Sequence, residues 1–431
     1  MTLAYRNGTP ACYDHDVSIR ERLYPGQGAA PVLVRHCADA RYVWNLGLEQ
    51  RSFWRRGMPS ISVYDQKRSL TEARRGTWLG EGSSVVQQQA LFDLDRAFKN
   101  WWKNPGHFSR PTWRKAGVHE GFAIRDLSVR RLNRRWGEVL VPKCGWVRFR
   151  VTRQWADICA ATSARVTLDR AGRWHVSFTA PPPAFCRRPT GATVGLDMGI
   201  AATVTTSDGV HFRMPKPLTP GEAQRKRRLQ RKLARQKRGS NRRERTKRQI
   251  ARLSAREVDR RKDWIEKTTT ALVRDYDLIC IEDLKVKNMV RSAKGTVENP
   301  GKNVRQKAGL NRSISSQAWA LFRTRITDKA AAAIDPDGSP RPVVAVVAVP
   351  PAFTSQRCSA CGHTAKENRE SQAVFQCQSC GYAANADVNA AINIRAAGLA
   401  VAGRGGTSHD QPATVDHSDP MKRQPSGLVA A

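Results

Sequence analysis

Residues 353–397 have the sequence FTSQRCSACGHTAKENRESQAVFQCQSCGYAANADVNAAINIRAA. Two Cys-x-x-Cys pairs, Cys358/Cys361 and Cys377/Cys380, are separated by fifteen residues, which is a spacing typical of a zinc ribbon. Each pair forms a tight knuckle that directs two thiolates at one metal ion. Four thiolates in a closed tetrahedron suit one structural Zn²⁺, which needs no open coordination position.

Glycines support the ribbon interpretation. Gly362 and Gly381 each follow the second cysteine of a pair, where the chain must turn sharply and a Cβ would be in the way. Two disulfides are the alternative, and they would suit an exported protein. Because a structural zinc ion holds a shape but performs no chemistry, we expect the chemistry in the domain that the ribbon interrupts.

The composition predicts a polyanionic partner. The chain has 431 residues, enough for two or three domains, with a net charge of +37 and a sequence pI of about 10.8. Such an excess is far more than solubility requires and is typical of nucleic-acid binding. Ribosome-like or membrane-surface binding are the alternatives. Twelve tryptophans argue against a disordered basic tail protein.

The sequence indicates an intracellular, cytoplasmic protein without a membrane span. Its first residues lack the apolar segment of a signal peptide. The longest apolar run, residues 343–349, is far too short to cross a bilayer. The cysteines outside the ribbon are scattered, and we interpret them as reduced thiols; they are residues 12, 37, 144, 159, 186 and 280.

The N-terminal half predicts a small antiparallel β-barrel interrupted by helices. Residues 1–30 and 106–185 are assigned to the barrel, and residues 31–105 to a helical, helix-turn-helix-like domain. Within it we expect a helix pair over residues 31–55 and a helix over 84–102. The expected strands are 17–25, 125–131, 138–141, 147–151, 164–168 and 173–179, followed by a proline linker at 181–183.

The C-terminal half predicts an RNase H-like α/β domain over residues 190–352 and 384–398, with the zinc ribbon inserted at 353–383. We expect a loop at 291–312 and a disordered tail at 399–431. The expected strands are 192–196, 201–206, 210–213, 277–281 and 343–349, with a helix at 316–333.

The segment 222–262 is strongly basic, with nineteen Lys/Arg residues against four acids. Gly239 and its neighbours divide it into two helices. Like charges at helical spacing repel one another unless phosphates neutralise them. We therefore predict a phosphate-contacting surface that offers little to read base edges; its candidate residues are Arg225, Arg228, Lys232, Arg235, Arg242, Arg245 and Arg252.

Three carboxylates occupy corresponding positions in the predicted sheet. Asp197 ends the first strand, Glu282 ends the fourth, and Asp387 opens the helix after the ribbon. In an RNase H-like sheet these strand ends are neighbours, so the three acids should converge. Clustered carboxylates suit hard divalent cations, and two Mg²⁺ ions there would serve phosphodiester hydrolysis. Asp283 should point the other way along the strand and be structural.

At these residues the chain resembles the TnpB family, the RuvC-type nucleases of bacterial insertion sequences, long described as OrfB-type transposases and related to type V CRISPR effectors. The resemblance covers nearly the whole chain. Its motifs are residues 22–25 with 40–45, 195–199, 281–284, 354–362 and 385–391, of which the last two are highly specific. One departure from the family pattern is the segment 349–353 before the ribbon motif, which is apolar where a more polar segment is expected.

The resemblance implies a wedge-type barrel with an inserted recognition domain, then RuvC with its ribbon. It implies that Asp197, Glu282 and Asp387 are the catalytic ligands of Mg²⁺, that the guide is an RNA from the transposon end, and that the DNA target carries a short flanking motif. A monomer is favoured. Two alternatives stay open: a guided repressor with a dead nuclease, and a DNA-binding transposase that joins strands without a guide.

Overall fold

The computed structural model describes residues 17–404 except residue 56, residues 181–184 and residues 338–342. The proline linker expected at 181–183 and the Cys12 thiol therefore lie outside the described residues. None of the helices in the described ranges is long and apolar enough to cross a membrane.

Seven strands of the N-terminal half form one antiparallel sheet. They are β1 (Val17–Tyr24), β2 (Gly121–Arg125), β3 (Val129–Asn133), β4 (Trp136–Val141), β5 (Gly145–Arg150), β6 (Ser163–Leu168) and β7 (Trp174–Ala180). The strand order is β2-β6-β7-β1-β5-β4-β3. The two edge strands, β2 and β3, share no ladder in the described part of the chain, so closure into a barrel stays a prediction.

Three helices cover this sheet: α1 (Ala29–Ser52), α2 (Val63–Gly76) and α3 (Ser84–Lys103), with the short α4 (Trp155–Cys159) near β7. Leu33 and Val43 of α1 and Leu91 of α3 share one buried core with strand residues such as Phe178. The helix pair expected over 31–55 was wrong, because α1 continues unbroken for 24 residues. The helix expected over 84–102 is confirmed.

The C-terminal half contains a five-stranded sheet of order β11-β10-β9-β12-β14. Its strands are β9 (Thr193–Asp197), β10 (Val204–Thr206), β11 (His211–Phe212), β12 (Leu278–Glu282) and β14 (Ala345–Val349); β8 (Phe185–Cys186) pairs separately with β13 (Ala333–Ile334). Strands β9, β12 and β14 run parallel, and β10 and β11 form an antiparallel meander. This is the strand order expected from the sequence.

Helices surround this sheet, and the ribbon adds one small hairpin. The helices are α5 (Pro220–Arg235), α6 (Asn241–Asp275), α7 (Val286–Met289), α8 (Val304–Gln317), α9 (Trp319–Ala331) and α10 (Ala386–Arg404); the hairpin strands are β15 (Val374–Gln376) and β16 (Ala383–Asn385). The predicted division of the basic segment at Gly239 is confirmed, since α5 ends and α6 begins on either side of it.

Three sequence predictions in these regions were wrong for local backbone reasons. The single strand expected at 125–131 is two strands, because Asp126 adopts a positive φ of 54°. Residues 304–317 are helical rather than loop, and the left-handed Ala318 separates α8 from α9, where one helix was expected. Helix α10 continues through 399–404, which the sequence assigned to a disordered tail.

Candidate functional site

The ends of two adjacent parallel strands bring Asp197 and Glu282 together. Each is the last residue of its strand, β9 or β12. The register aligns Leu196 with Ile281, so the two carboxylates follow directly on paired residues. Their apolar strands are buried on both faces, and the chain becomes polar only where the strands end. Both acids therefore lie side by side at the carboxyl ends of the parallel strands.

Helix α10 brings the third acid to the same strand ends. Asp387 is the second residue of α10, which packs across β9, β12 and β14. This packing depends on Gly195 in β9, because a Cβ there would come within 2.0 Å of the Ala391 carbonyl oxygen. Gly398 permits a second close approach, to the Cys280 side chain of β12. Two glycines thus set the helix directly on the strands that carry the other acids.

The three carboxylates interact electrostatically. Burial and, after it, the charges of Glu282 and Asp387 together raise the pKa of Asp197 to about 7, against a lowering by Arg369. Burial also raises the pKa of Glu282. Repulsion of this kind is relieved by a bound cation. In this structure the carboxylate oxygens of the three residues do not all lie within 4.8 Å of one another. Among the described residues, only the four cysteines form a group of possible metal ligands that close together.

Two ribbon side chains hold these carboxylates, and neither contact was predicted from the sequence. The Thr354 hydroxyl donates to Glu282 Oε1 at 2.6 Å, which lowers the pKa of Glu282 against the effect of burial. Arg369 Nη2 donates to Asp387 Oδ1 at 3.2 Å. Both contacts join segments distant in sequence, so the ribbon is in direct contact with the carboxylate site.

The adjacent Asp283 is turned away, as the strand alternation predicts. It accepts hydrogen bonds from Arg323 of α9 at 2.5 Å and from Lys285. These two cations lower its pKa to about 2. Asp283 therefore ties β12 to α9 through ion pairs, and its charge is already neutralised.

The four ribbon cysteines form one compact cluster. The Sγ atoms of Cys358, Cys361, Cys377 and Cys380 all lie within 4.8 Å of one another. The Cys358–Cys380 and Cys361–Cys377 Sγ separations are 3.8 and 3.6 Å. A tetrahedral ion with Zn–S bonds of about 2.3 Å requires S···S separations of about 3.8 Å. All four thiols are free, so the disulfide alternative was wrong here, and the donor set fits zinc.

Matching backbone turns build the two knuckles. The Gly362 amide donates to the Cys358 carbonyl and the Gly381 amide to the Cys377 carbonyl, each at 3.0 Å. Both glycines have positive φ, 80° and 71°, which confirms the expected sharp turns. The expected steric conflict was wrong, because a Cβ at Gly362 would meet no atom closer than 3.6 Å and one at Gly381 would meet none within 4 Å. The Cys380 backbone amide also donates to Cys377 Sγ, which lowers the pKa of that thiol to about 6. Thiolates are the form that binds metal.

Two buried asparagines of α10 fasten the ribbon to the carboxylate site. Asn389 Nδ2 donates to the Arg357 carbonyl at 2.8 Å, and its Oδ1 accepts from the Ser359 amide at 2.9 Å. Asn393 donates to the carbonyls of Arg357 and Thr354. Neither asparagine was assigned a role from the sequence, although polar residues four apart on an apolar helix face are a detectable signal.

The predicted basic residues lie on a helical hairpin formed by α5 and α6. Its buried seam includes Leu229 and Leu253. The acids of the hairpin are already paired: Glu222 with Arg256 and Arg260, and Glu257 with Lys226 and Arg261. The seven candidates are exposed and form no ion pair within the described ranges; they are Arg225, Arg228, Lys232, Arg235, Arg242, Arg245 and Arg252. Their charges are available to a partner.

Together these features define a mixed α/β protein with a carboxylate cluster at its sheet edge and a zinc-ribbon-like cysteine cluster beside it. The fold is similar to that of the Cas12f1 chain in the cryo-EM structure of the Cas12f1-sgRNA-target DNA complex. That likeness has a TM-score of 0.53 at 13% identity and covers 86% of this chain and 83% of the other. At this identity it concerns the fold alone.

Sequence comparison defines the family. Residues 182–293 match the OrfB_IS605 family, described as a probable transposase, and residues 319–394 match the Cas12f1-like TNB domain. The chain is 38% identical to "Putative RNA-guided DNA endonuclease InsQ" of Escherichia coli K12, over 95% of this chain and 97% of that protein. It is 30% identical to a "Putative RNA-guided DNA endonuclease" of Streptomyces pristinaespiralis, over 96% and 97%. The chain belongs to the TnpB family.

Proposed function

We propose that this protein is a transposon-encoded, RNA-guided DNA endonuclease that makes Mg²⁺-dependent double-strand breaks linked to transposition and recombination. The observation that carries the proposal is the convergence of three carboxylates from two strand ends and a helix start. The names of the two full-length relatives support it. The free charges of the α5–α6 hairpin support nucleic-acid partners.

In this proposal Asp197, Glu282 and Asp387 are the catalytic residues and would hold two Mg²⁺ ions. Carboxylate oxygens are the ligands that Mg²⁺ prefers. The bound ions would activate water and stabilise the leaving oxygen of the phosphodiester. The Thr354 hydroxyl and the Arg369 guanidinium orient two of the carboxylates, and the apolar strand ends beneath them restrict water.

The remaining assignments belong to the same proposal. The cysteine cluster would hold one structural Zn²⁺ per chain. Guide RNA from the transposon end and target DNA would be the partners of a monomeric, nucleoid-associated protein. The seven-stranded sheet would be the wedge domain, helices α1–α3 the recognition domain, and the five-stranded sheet the RuvC domain.

The test is cleavage by full-length protein purified free of RNA, then supplied with plasmid, Mg²⁺ and the RNA from the element's end. We expect double-strand ends at a site that moves when the guide segment is rewritten. Asp197→Ala, Glu282→Ala and Asp387→Ala should each abolish cleavage and leave binding nearly intact, because each removes a metal ligand while the basic surface stays.

Asp283→Ala is the matched control, because it removes a neighbouring carboxylate that faces α9 instead of the site. This variant should still cut. Cutting at a fixed sequence without RNA would favour the guide-independent transposase. Guided binding without cutting by the unaltered protein would favour the repressor. Cleavage by a folded variant of one of the three acids would remove that residue from the site.

A further inference from the structure

A large basic cavity lies between the helices and the seven-stranded sheet, in a part of the chain that the carboxylate site does not use. Its volume is about 810 Å³, within the range of pockets that hold small organic ligands. Its walls come from Trp44 of α1, the segment 110–120 before β2, Arg165 of β6 and Arg170 in the turn after β6. No residue of the predicted nuclease site or basic hairpin lines it.

Arginines in this cavity are held against tryptophan rings. The Arg114 guanidinium lies 3.7 Å from the ring centroid of Trp44, and Arg110 lies 5.8 Å from that of Trp101. Asn45 fixes the Arg114 backbone through both its amide and its carbonyl, at 2.8 and 3.0 Å. The Arg114 side chain is thus positioned before any ligand arrives.

The Arg114 guanidinium has no hydrogen-bond acceptor among the described residues, and the residue is half-buried. Burial lowers the pKa of Arg114 to about 10, which still leaves the group charged at neutral pH. Asp93, the nearby carboxylate that raises the pKa of Arg114 against burial, is ion-paired with Arg165 at 2.5 Å, so a further anion would stabilise the guanidinium. The geometry therefore favours an anionic ligand at this point of the cavity.

The acids of the cavity wall do not supply that anion, because they are paired elsewhere. Glu120 pairs with Arg41 at 2.5 Å and Asp169 with Arg173 at 2.7 Å. Within the described residues, five cations of the wall have no carboxylate partner; they are Arg20, Arg110, Arg114, Lys115 and Arg170. The cavity thus carries a large positive excess.

Trp113 adds an aromatic surface to these cations. Its side chain lines the cavity and is 54% exposed, unlike the buried Trp44 that supports Arg114. Unpaired bases stack on exposed aromatic side chains and on arginine planes, while their phosphates bind cations. An open cavity with both features suits a nucleotide extruded from a strand, since a base inside a duplex cannot enter it.

We infer that this cavity binds one unpaired nucleotide of a nucleic-acid strand, with its phosphate on Arg114 and its base against Trp113. The inference rests on the proposed function only in taking nucleic acid as the partner. RNA and DNA share this chemistry. The guide strand and the target strand are therefore the two sources that a test has to separate.

Photocrosslinking of the full-length protein tests the site directly. The probes are short oligouridine and oligodeoxyuridine strands that contain 5-iodouracil, irradiated with protein free of RNA and mapped by mass spectrometry. We expect a crosslink on the peptide that contains Trp113. A stronger yield from the ribose probe assigns the site to RNA, and a stronger yield from the deoxyribose probe assigns it to DNA. Crosslinks only at other peptides would overturn the inference.

Variants identify the contacts. Arg114→Gln should abolish the Trp113 crosslink and weaken oligonucleotide binding on the order of tenfold, with a slope of log K against log salt smaller by about 0.7. Arg114→Lys, which retains charge but not the planar fork, should partly restore binding. Arg110→Gln, at an exposed position, tests the same wall if Arg114→Gln fails to fold.

Arg150→Gln is the matched control. Arg150 lies over Trp136 at 5.4 Å, so the variant removes one arginine–tryptophan pair and one charge outside the cavity. It should retain the Trp113 crosslink, and loss of the crosslink in this control would contradict a specific site. Guided cleavage is assayed in parallel. Cleavage without the Trp113 crosslink would overturn only the proposed nucleotide binding in the cavity. The crosslink without cleavage would overturn only the proposed endonuclease function.

Discussion

At the scale of single residues, Glu282 depends on a hydroxyl from another segment. Glu282 is 8% exposed, and burial raises its pKa, so its charged form needs hydrogen-bond support. Thr354 supplies one short hydrogen bond to Oε1, and its own carbonyl is bound by Asn393. Residues that orient metal ligands in this way commonly matter about 10- to 100-fold for metal affinity or activity.

Thr354→Val should therefore lower the initial cleavage rate by about 10- to 100-fold and raise the Mg²⁺ concentration needed for half-maximal rate. The methyl group retains the shape of the side chain but removes the donor to Glu282. Thr354→Ser should restore most of the rate, which a purely structural role would not predict. Thr364→Val, at an exposed ribbon position, is the control. An unchanged Mg²⁺ dependence in Thr354→Val would count against the positioning role.

The sequence predicts the acids but not their partners. Asp197, Glu282 and Asp387 follow apolar strands or open a helix, and those are local patterns visible in one sequence. Thr354 and Arg369 contact them only because the ribbon folds back on the sheet. A contact across distant segments leaves no periodic signal, so these two contacts could not be predicted from the sequence.

At the scale of secondary-structure elements, the ribbon and α10 act as one unit. Asn389 is fully buried and joins the first knuckle to the helix through a donated and an accepted hydrogen bond. Arg369 joins the same ribbon to Asp387 at the start of α10. The position of Asp387 therefore depends on a folded ribbon as well as on the sheet.

Loss of zinc should accordingly disable the nuclease site without unfolding the N-terminal sheet. Zinc binding in small ribbons contributes on the order of 10 kcal/mol of folding free energy. Cys377→Ser should lower the zinc content from one ion per chain towards zero, expose the ribbon to proteolysis and abolish cleavage. Cys159→Ser, which alters an exposed thiol of α4, should change none of these. Unaltered reduced protein that contains no zinc by elemental analysis would refute the assignment.

Predictions of elements succeeded for the parallel strands and the basic helices, and failed at α1 and where one backbone angle decided. The parallel strands and the basic helices carry long apolar or charged runs, and both were predicted. Asp126 and Ala318 break elements through positive φ. Alanine seldom adopts this conformation, and aspartate adopts it more often but still in a small minority of cases, so neither break was predictable from the residue type. The packing of α10 on Gly195 is likewise a tertiary effect, since the glycine matters only once Ala391 lies against it.

At the scale of the whole molecule, the positive charge divides into paired and free groups. The chain carries 74 Lys and Arg residues against 37 acids, so half of its cations have no acid to match them. In the α5–α6 hairpin, Arg256 and Arg260 are ion-paired with Glu222, while Arg228 and Lys232 on the exposed face of α5 have no carboxylate partner in the part of the chain that the structure describes. Net charge is visible in the sequence, whereas this division requires the structure.

The division predicts that two variants with the same net charge bind nucleic acid differently. Arg228→Gln with Lys232→Gln removes two free cations and relieves a like-charge repulsion at i,i+4, so α5 should stay folded. If both cations contact phosphates of a duplex, the slope of log K against log salt should become shallower by about 1.8. Arg256→Gln with Arg260→Gln removes two cations that share an ion pair with the carboxylate of Glu222.

The Arg256→Gln/Arg260→Gln variant should therefore change the slope of log K against log salt much less, although its net charge falls by the same amount. Binding isotherms of a fluorescent duplex over a series of salt concentrations measure both slopes, and thermal melting confirms that each variant is folded. Equal slopes for the two pairs would mean that total charge alone governs binding. A larger effect from the ion-paired residues would place the nucleic-acid surface on the opposite side of the hairpin.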